Sequence, residues 1–496
     1  MKNLKKIAPY LVTISFAALT VALTACSKSS TPGGNGGYKG GGGSDTVVVV
    51  KPVKTDVKMW LTNADQSKLL SKQNIALNFS STTSSNTTIN VDTTTTYQTI
   101  DGFGFALTGG SAQVINGLSS NLNTALIKEL FSTDSASIGI SYIRLTIGAS
   151  DMSASAFTYD DMSNGTDVNL DNFSIAKEEV DLIPTLKKII AINPNIKILA
   201  CPWSAPAWMK TNNNLSGGSL LPQYYSVYAN YFVKYIQAMA AEGITIDAVT
   251  PQNEPLNANN NPAMVMQDTA EAKFIGSYLG PAFQTAGLTT KIICYDHNCD
   301  RPDYPEYVLK DATASPYVDG SAFHLYLGDI SAMSPVHNAF PTKNIYFTEQ
   351  ATFGGGTFGG DLNWHVNNLI VGATRNWSRN VIEWNLASDP NFGPHTNGGC
   401  TTCQGAVTIS GNTGITRNVS YYIIAHASKF VRPGAVRIAS DASTTLPNVA
   451  FKNTDGSKVL IVLNNNAGTQ TFNIKFNSKI VTTTLSNGAV ATYVWK

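Results

Sequence analysis

The sequence predicts an α/β fold, a closed (β/α)8 barrel (a TIM barrel) with an associated β-sandwich formed from both chain ends. Three observations carry this prediction. The middle of the chain alternates short apolar runs with amphipathic stretches, a rhythm that implies parallel strands joined by helical crossovers. Eight such runs can be counted, the number that closes a barrel rather than leaving an open sheet. Short alternating segments separated by turn residues flank this region at both ends. At 496 residues the chain holds a barrel of roughly 250 residues or more and a small partner.

The chain opens with Lys2, Lys5 and Lys6, an apolar stretch from Leu11 to Leu23, and Leu23-Thr24-Ala25-Cys26. This is a signal peptide over residues 1–26 rather than a fold element. Small residues before a cysteine resemble the bacterial lipoprotein signal, in which Cys26 is lipidated and becomes the mature N-terminus. The expected location is that of an exported bacterial lipoprotein, on the outer-membrane or periplasmic face, touching the membrane through this N-terminal lipid anchor only. No other apolar run approaches the roughly 20 residues a bilayer span needs. Residues 27–56, rich in Gly and Ser, cannot bury apolar surface and read as a flexible tether.

Residues 57–99 supply N-terminal sandwich strands, with Ile75-Ala76-Leu77-Asn78-Phe79 and Thr88-Ile89-Asn90-Val91 as alternating segments. The barrel occupies 100–431. Its strands are expected near Gly102–Ala106, Tyr142–Ile147, Ile196–Cys201, Ala248–Pro251, Ile292–Tyr295, Ala322–Leu325, Ile345–Thr348 and Val381–Asn385. Helical patterns lie between them at Leu122–Phe131, Glu178–Ile192, Tyr224–Ala241, Ala270–Phe283, Tyr304–Leu309 and Asn363–Arg375. The clearest places Tyr228, Tyr231, Phe232, Tyr235, Ile236 and Met239 on one face, with Gly243 as the stop signal. Residues 432–496 return to strands at Val449–Lys452, Val459–Leu463, Thr471–Phe476 and Ala491–Trp495, with Asp455-Gly456 and Asn487-Gly488 turns.

A formal net charge of +1 and the lack of a Lys/Arg run in the mature chain leave no electrostatic footprint for nucleic acid. Five cysteines follow Cys26. Cys400/Cys403 and Cys294/Cys299 are spaced to close small loop disulfides in an exported chain, and Cys201 lies in an apolar run as a small hydrophobe. A lone Cys400-Thr401-Thr402-Cys403 without a second ligand pair does not make a zinc site.

Reacting groups of a barrel enzyme sit at the C-terminal ends of strands. Glu254 follows the fourth apolar run and Glu349 the seventh, on opposite sides of the mouth. Cleaving a glycoside with retention needs two carboxyls roughly 5–5.5 Å apart, one protonated and one ionised. Asn253 is placed to bond a sugar 2-hydroxyl, and Trp203, Trp208, Tyr326 and Trp384 crowd the same strand ends as a floor for sugar faces. His324 ends the sixth strand, in reach of a sugar or a glutamate. Arg144 ends the second, where its charge would hold Glu349 ionised.

Several blocks at these residues resemble glycoside hydrolase family 30, the family of lysosomal glucosylceramidase. They are Cys201-Pro202-Trp203-Ser204-Ala205-Pro206-Ala207-Trp208-Met209-Lys210, Asn253-Glu254-Pro255, His324-Leu325-Tyr326, Thr348-Glu349 and Glu383-Trp384-Asn385-Leu386-Ala387. The likeness extends through Asp101-Gly102-Phe103-Gly104, Ile143-Arg144-Leu145, Ser150-Asp151-Met152-Ser153 and His426 to Gly434, and covers most of the mature chain. It implies a retaining mechanism with Glu254 as acid/base and Glu349 as nucleophile. It also implies sugar contacts from Asp151, Trp203, Asn253 and Trp384, with His324 and Tyr326 nearby. Departures from glucosylceramidase include Glu383 where that enzyme has Asp, Gln350-Ala351 after the nucleophile, and the loop carrying Cys400 and Cys403.

The expected reaction is double displacement on a β-glucoside, without a metal or organic cofactor. Glu254 would be raised in pKa to stay protonated, and Glu349 would stay ionised. A membrane-tethered enzyme meets polysaccharide more readily than ceramide, and the resemblance, whose family includes β-1,6-glucanases, implies β-1,6-glucan as substrate, with glucosylceramide or another β-glucoside as the alternative. A non-catalytic carbohydrate binder would keep the aromatic floor yet have no reason to keep both glutamates. A nucleotide-dependent enzyme has only Gly102-Phe103-Gly104 in its favour, and Leu107 stands where the third fingerprint glycine belongs.

Overall fold

The computed structural model describes residues 53–496. The signal peptide, Cys26 and nearly all of the tether lie outside the described residues. Eight parallel strands form one sheet: Gly102–Ala106, Tyr142–Thr146, Lys197–Cys201, Ala248–Val249, Lys291–Cys299, Val318–Gly328, Asn344–Glu349 and Asn380–Glu383. Neighbours follow chain order, and the eighth strand pairs in parallel with the first. Parallel bridges from Ile345 to Ser378 and from Ala351 to Trp384 join the seventh to the eighth and close the barrel.

Burial on both faces explains why these runs are strands: nearly every residue in them is covered, by the barrel interior on one side and the helices on the other. Tyr142, Leu199, Ala248, Ile293, Ala322, Tyr346 and Ile382, one from each of seven strands, pack together as one buried cluster. Such a layer is how a barrel of eight strands fills its interior. The helices pack outside. The helix Tyr225–Ala241 buries all six residues of its aromatic face, and Tyr228 and Phe232 meet Phe274 of the next helix at 5.5 and 6.2 Å. Gly243 ends it with a φ of 78°, a left-handed conformation that costs glycine little.

Several expectations need correction. The fifth strand runs on past Tyr295 to Cys299, and the sixth spans Val318–Gly328. The segment expected as one helix from Ala270 to Phe283 has a π turn at Ile275–Leu279, and the one from Asn363 continues as a π turn over Val366–Ala373. Helices Gly109–Asn116, Met333–Ala339 and Val419–Ser428 were not legible in the apolar pattern. Ile75 to Phe79 is extended chain outside any strand, although Leu77 is buried and bonds Val57. Cys400 and Cys403 form a disulfide, whereas Cys294 and Cys299 are free. The latter two pair with Ser321 and Gly328, seven positions apart on the neighbouring strand, and stay unlinked.

The chain ends do combine. Lys58–Thr62 pairs antiparallel with the last strand, Val490–Trp495. Thr88–Thr99 pairs antiparallel with Val436–Ser440 and parallel with Gln470–Phe476, so one long strand serves both halves of the sandwich. A second apolar cluster, including Leu460, Phe472, Tyr493 and Trp495, forms its core.

Candidate active site

Loops leaving the C-terminal ends of the barrel strands surround a cleft of about 550 Å³. Asp151, Trp203, Glu254, Tyr326, Glu349 and Trp384 all line it. Arg144, Asn253 and His324 lie beneath, each 4% exposed or less. The structure therefore brings the two glutamates and their expected partners to one place, in two tiers; Trp208, expected in the floor, instead packs in the barrel's apolar core against Tyr224, its indole N–H donating to the Asp160 carbonyl at 3.0 Å.

The lower tier is a charge network. Arg144, fully buried on the second strand, donates to Glu349 Oε2 at 2.6 Å, Asn253 Oδ1 at 2.7 Å and Asp296 Oδ2 at 2.7 Å. Asp296 also accepts from Thr250 and Thr348 at 2.7 and 2.6 Å and bonds His324 Nε2 at 3.1 Å. Despite burial, the Arg144 and His324 charges hold Asp296 well below the usual carboxylate range. His324 Nδ1 faces both glutamates, 3.3 Å from Glu254 Oε1 and 3.8 Å from Glu349 Oε1. Wholly buried, His324 binds carboxylates rather than sugar, and Asn253 spends its oxygen on Arg144.

The upper tier faces the cleft. Tyr326 donates to Glu349 Oε1 at 3.0 Å, and Asn257 to Glu254 Oε2 at 2.8 Å. Trp203 and Trp384 stack with centroids 5.4 Å apart, and the Arg144 guanidinium lies 4.8 Å from the Trp203 ring centre. The buried indole N–H of Trp203 has no partner among the described residues. Glu254 itself has a φ of 43°, a left-handed conformation costing a non-glycine residue about 1–3 kcal/mol, the kind of strain found at functional sites.

The ionisation pattern differs from expectation. Burial alone pushes Glu254 up, but the hydrogen bond and charge of His324, with His297 and Asn257, bring it to about 2. Glu349 is raised, because burial and the Glu254 and Asp296 charges outweigh His324 and Arg144. His324 is raised to about 9: the three carboxylates overcome its burial. Asp151 is raised to about 7 by burial and the two glutamates. The single proton shared between His324 and Glu254 therefore rests on the imidazole.

Asp296, His297, Asn298 and Asn257 were missed in the sequence. The first three directly follow the apolar run Ile292 to Tyr295, so the strand-end position that marks Glu254 and Glu349 marks them too. Glu383 stays out of the cleft, bonding His365 at 3.0 Å. Among the described residues one group offers metal donors within 4.8 Å of one another, Glu254, His297 and His324, and two of the three already bond each other.

A closed barrel holding two buried glutamates above an arginine and beside a tryptophan floor defines a glycosidase. Comparison with known proteins narrows this. Residues 100–431 match the glycosyl hydrolase family 30 TIM-barrel domain, and 434–493 match that family's beta sandwich domain. The endo-1,6-beta-D-glucanase neg1 of Aspergillus fumigatus is 38% identical over 79% of this chain and 82% of its own length. The lysosomal acid glucosylceramidase of Mus musculus is 31% identical over 81% of this chain and 82% of its own. A solved endo-beta1,6-glucanase superposes with a TM-score of 0.83 at 37% identity, covering 89% of this chain and 99% of the other. The chain belongs to glycosyl hydrolase family 30 and is a glycosidase of that retaining family.

Proposed function

We propose that the protein hydrolyses β-1,6-glucan by double displacement, with Glu349 as nucleophile and Glu254 as acid/base. The observation that carries this reading is the pair of buried carboxylates converging on one imidazole nitrogen, His324 Nδ1. Two oxygens at 3.3 and 3.8 Å from a common atom cannot reach the upper part of the roughly 6.5–9.5 Å separation that inversion requires. They accommodate the roughly 5–5.5 Å of retention.

In the first step Glu349 attacks the anomeric carbon, the glycosidic C–O bond breaks, and the leaving oxygen takes a proton from Glu254. Because that proton rests on His324, it passes first along the 3.3 Å contact to Glu254, which then hands it to the leaving oxygen. In the second step Glu254 removes a proton from water, which displaces Glu349 and frees the sugar with its original configuration. Arg144 and Tyr326 hold the nucleophile's two oxygens, and Asp151, Trp203 and Trp384 supply sugar contacts. The glucan choice is supported by relatives that are endo-1,6-glucanases at 37–38% identity, against 31% for the mouse glucosylceramidase. The Cys26 signal supports delivery as an exported, lipid-anchored protein.

The test assays pustulan, a β-1,6-glucan, beside glucosylceramide, with wild type and Glu349→Gln. Wild type is expected to release β-anomeric products from pustulan, and the variant to bind glucan without turnover. Hydrolysis by Glu349→Gln overturns the nucleophile, and cleavage of the lipid alone overturns the substrate.

A further inference from the structure

Two large apolar side chains stand in solvent at the cleft mouth: Leu327 is 60% exposed and Phe353 is 41% exposed, and both line the cleft. An exposed aromatic ring forgoes burial that a ligand's apolar face can restore. Phe353 is not on a loose loop. Thr352 and Phe353 pair antiparallel with Gln404 and Cys403, and the Gly354 N–H bonds Thr402 at 2.7 Å. The Cys400–Cys403 disulfide closes this same strand and itself lines the cleft. Phe392 packs on the far side so tightly that a Cβ at Gly354 would lie 2.2 Å from its ring.

Polar groups continue the same edge. Asn298 Oδ1 accepts from the N–H groups of Tyr326 and Leu327 at 2.8 and 3.2 Å, and the Tyr326 ring sits 6.4 Å from Phe353. His297, next in the chain, is 8% exposed, lines the cleft and lies within 4.8 Å of the Glu254 and His324 ligand atoms. Its Nδ1 has no partner among the described residues. A buried ring nitrogen left unpaired is costly, and a bound hydroxyl satisfies it as donor or acceptor.

Resting on the glycosidase reading above, we propose that Phe353, Leu327 and His297 form the subsite for the glucosyl unit on the leaving-group side, with the disulfide-anchored strand Cys403–Gln404 bracing Phe353. The sugar that reacts is already served by Asp151, Trp203 and Trp384. His297 lies on the Glu254 side, where the leaving oxygen takes its proton. The platform packs the C–H face of the departing glucose while His297 bonds one of its hydroxyls.

β-Glucosyl fluoride reports on the reacting sugar alone, because its leaving group is a single atom; a β-1,6-linked gluco-oligosaccharide also fills the leaving-group subsite. Phe353→Ala is expected to lower kcat/KM on the oligosaccharide on the order of tenfold more than on the fluoride, and Phe353→Trp to restore it. His297→Ala is expected to shift the ratio the same way. Wild type that cleaves neither substrate defeats the glycosidase assignment. Wild type that cleaves both while Phe353→Ala leaves their ratio unchanged defeats the subsite.

Discussion

Arg144 is the side chain on which most of the lower tier depends, because its fork reaches Glu349, Asn253 and Asp296 together. Arg144→Lys keeps the charge but offers a single ammonium group, which cannot serve those acceptors from one position. Charge-assisted bonds contribute about 1.5–3 kcal/mol each, so kcat is expected to fall on the order of a hundredfold. Steady-state kinetics on β-glucosyl fluoride measures this, and a variant within a few fold of wild type would show that charge alone suffices. At this scale the sequence revealed Glu254 and Glu349 through their positions at strand ends, and Arg144 as a charge inside an apolar strand, although it sits in the middle of Tyr142–Thr146 rather than at its end. It did not reveal that His324 would keep the shared proton, because that follows from three carboxylates converging on it from separate strands. Asp296 escaped notice for a different reason: its strand was read as ending at Tyr295, four residues short of Cys299.

Among the elements, the first barrel strand is the least tolerant of change. A Cβ at Gly104 would lie 1.8 Å from the carbonyl oxygen of Tyr142 and 2.8 Å from Ile140 Cγ2, and backbone cannot step aside as a side chain can. Gly104→Ala is expected to destabilise by about 3 kcal/mol or to prevent folding, read as a lowered urea midpoint or loss of soluble protein. An unchanged midpoint would mean that the first two strands can separate at small cost. The eight barrel strands were legible because each buries a short apolar run. The helix Gly109–Asn116 was not, since it begins Gly-Gly and owes its start to the Thr108 side chain accepting from Ser111. The π turns also leave no apolar signature: they insert a residue into a helix whose periodicity continues on either side.

For the molecule as a whole, the barrel and the sandwich are joined at His426, on the barrel's last helix. Its Nδ1 bonds Thr492 of the final strand at 2.9 Å and its Nε2 bonds Thr62 of the first sandwich strand at 2.8 Å. One imidazole thus ties the helix to both chain ends. Burial lowers its pKa to about 3, so the folded protein keeps it neutral while the unfolded chain takes up a proton near pH 6.5. Because the folded value is the lower one, the unfolded state binds more protons between these values, and stability falls with falling pH across that window. The contribution is complete above pH 6.5 and declines by up to about 1.4 kcal/mol for each pH unit below it. His426→Gln keeps a polar side chain and removes the titration. Between pH 7 and pH 4.5 the urea midpoint of wild type is expected to fall more steeply than that of the variant. Parallel declines would mean that the seam between barrel and sandwich opens to protons without global unfolding, leaving the acid sensitivity to the carboxylates of the cleft.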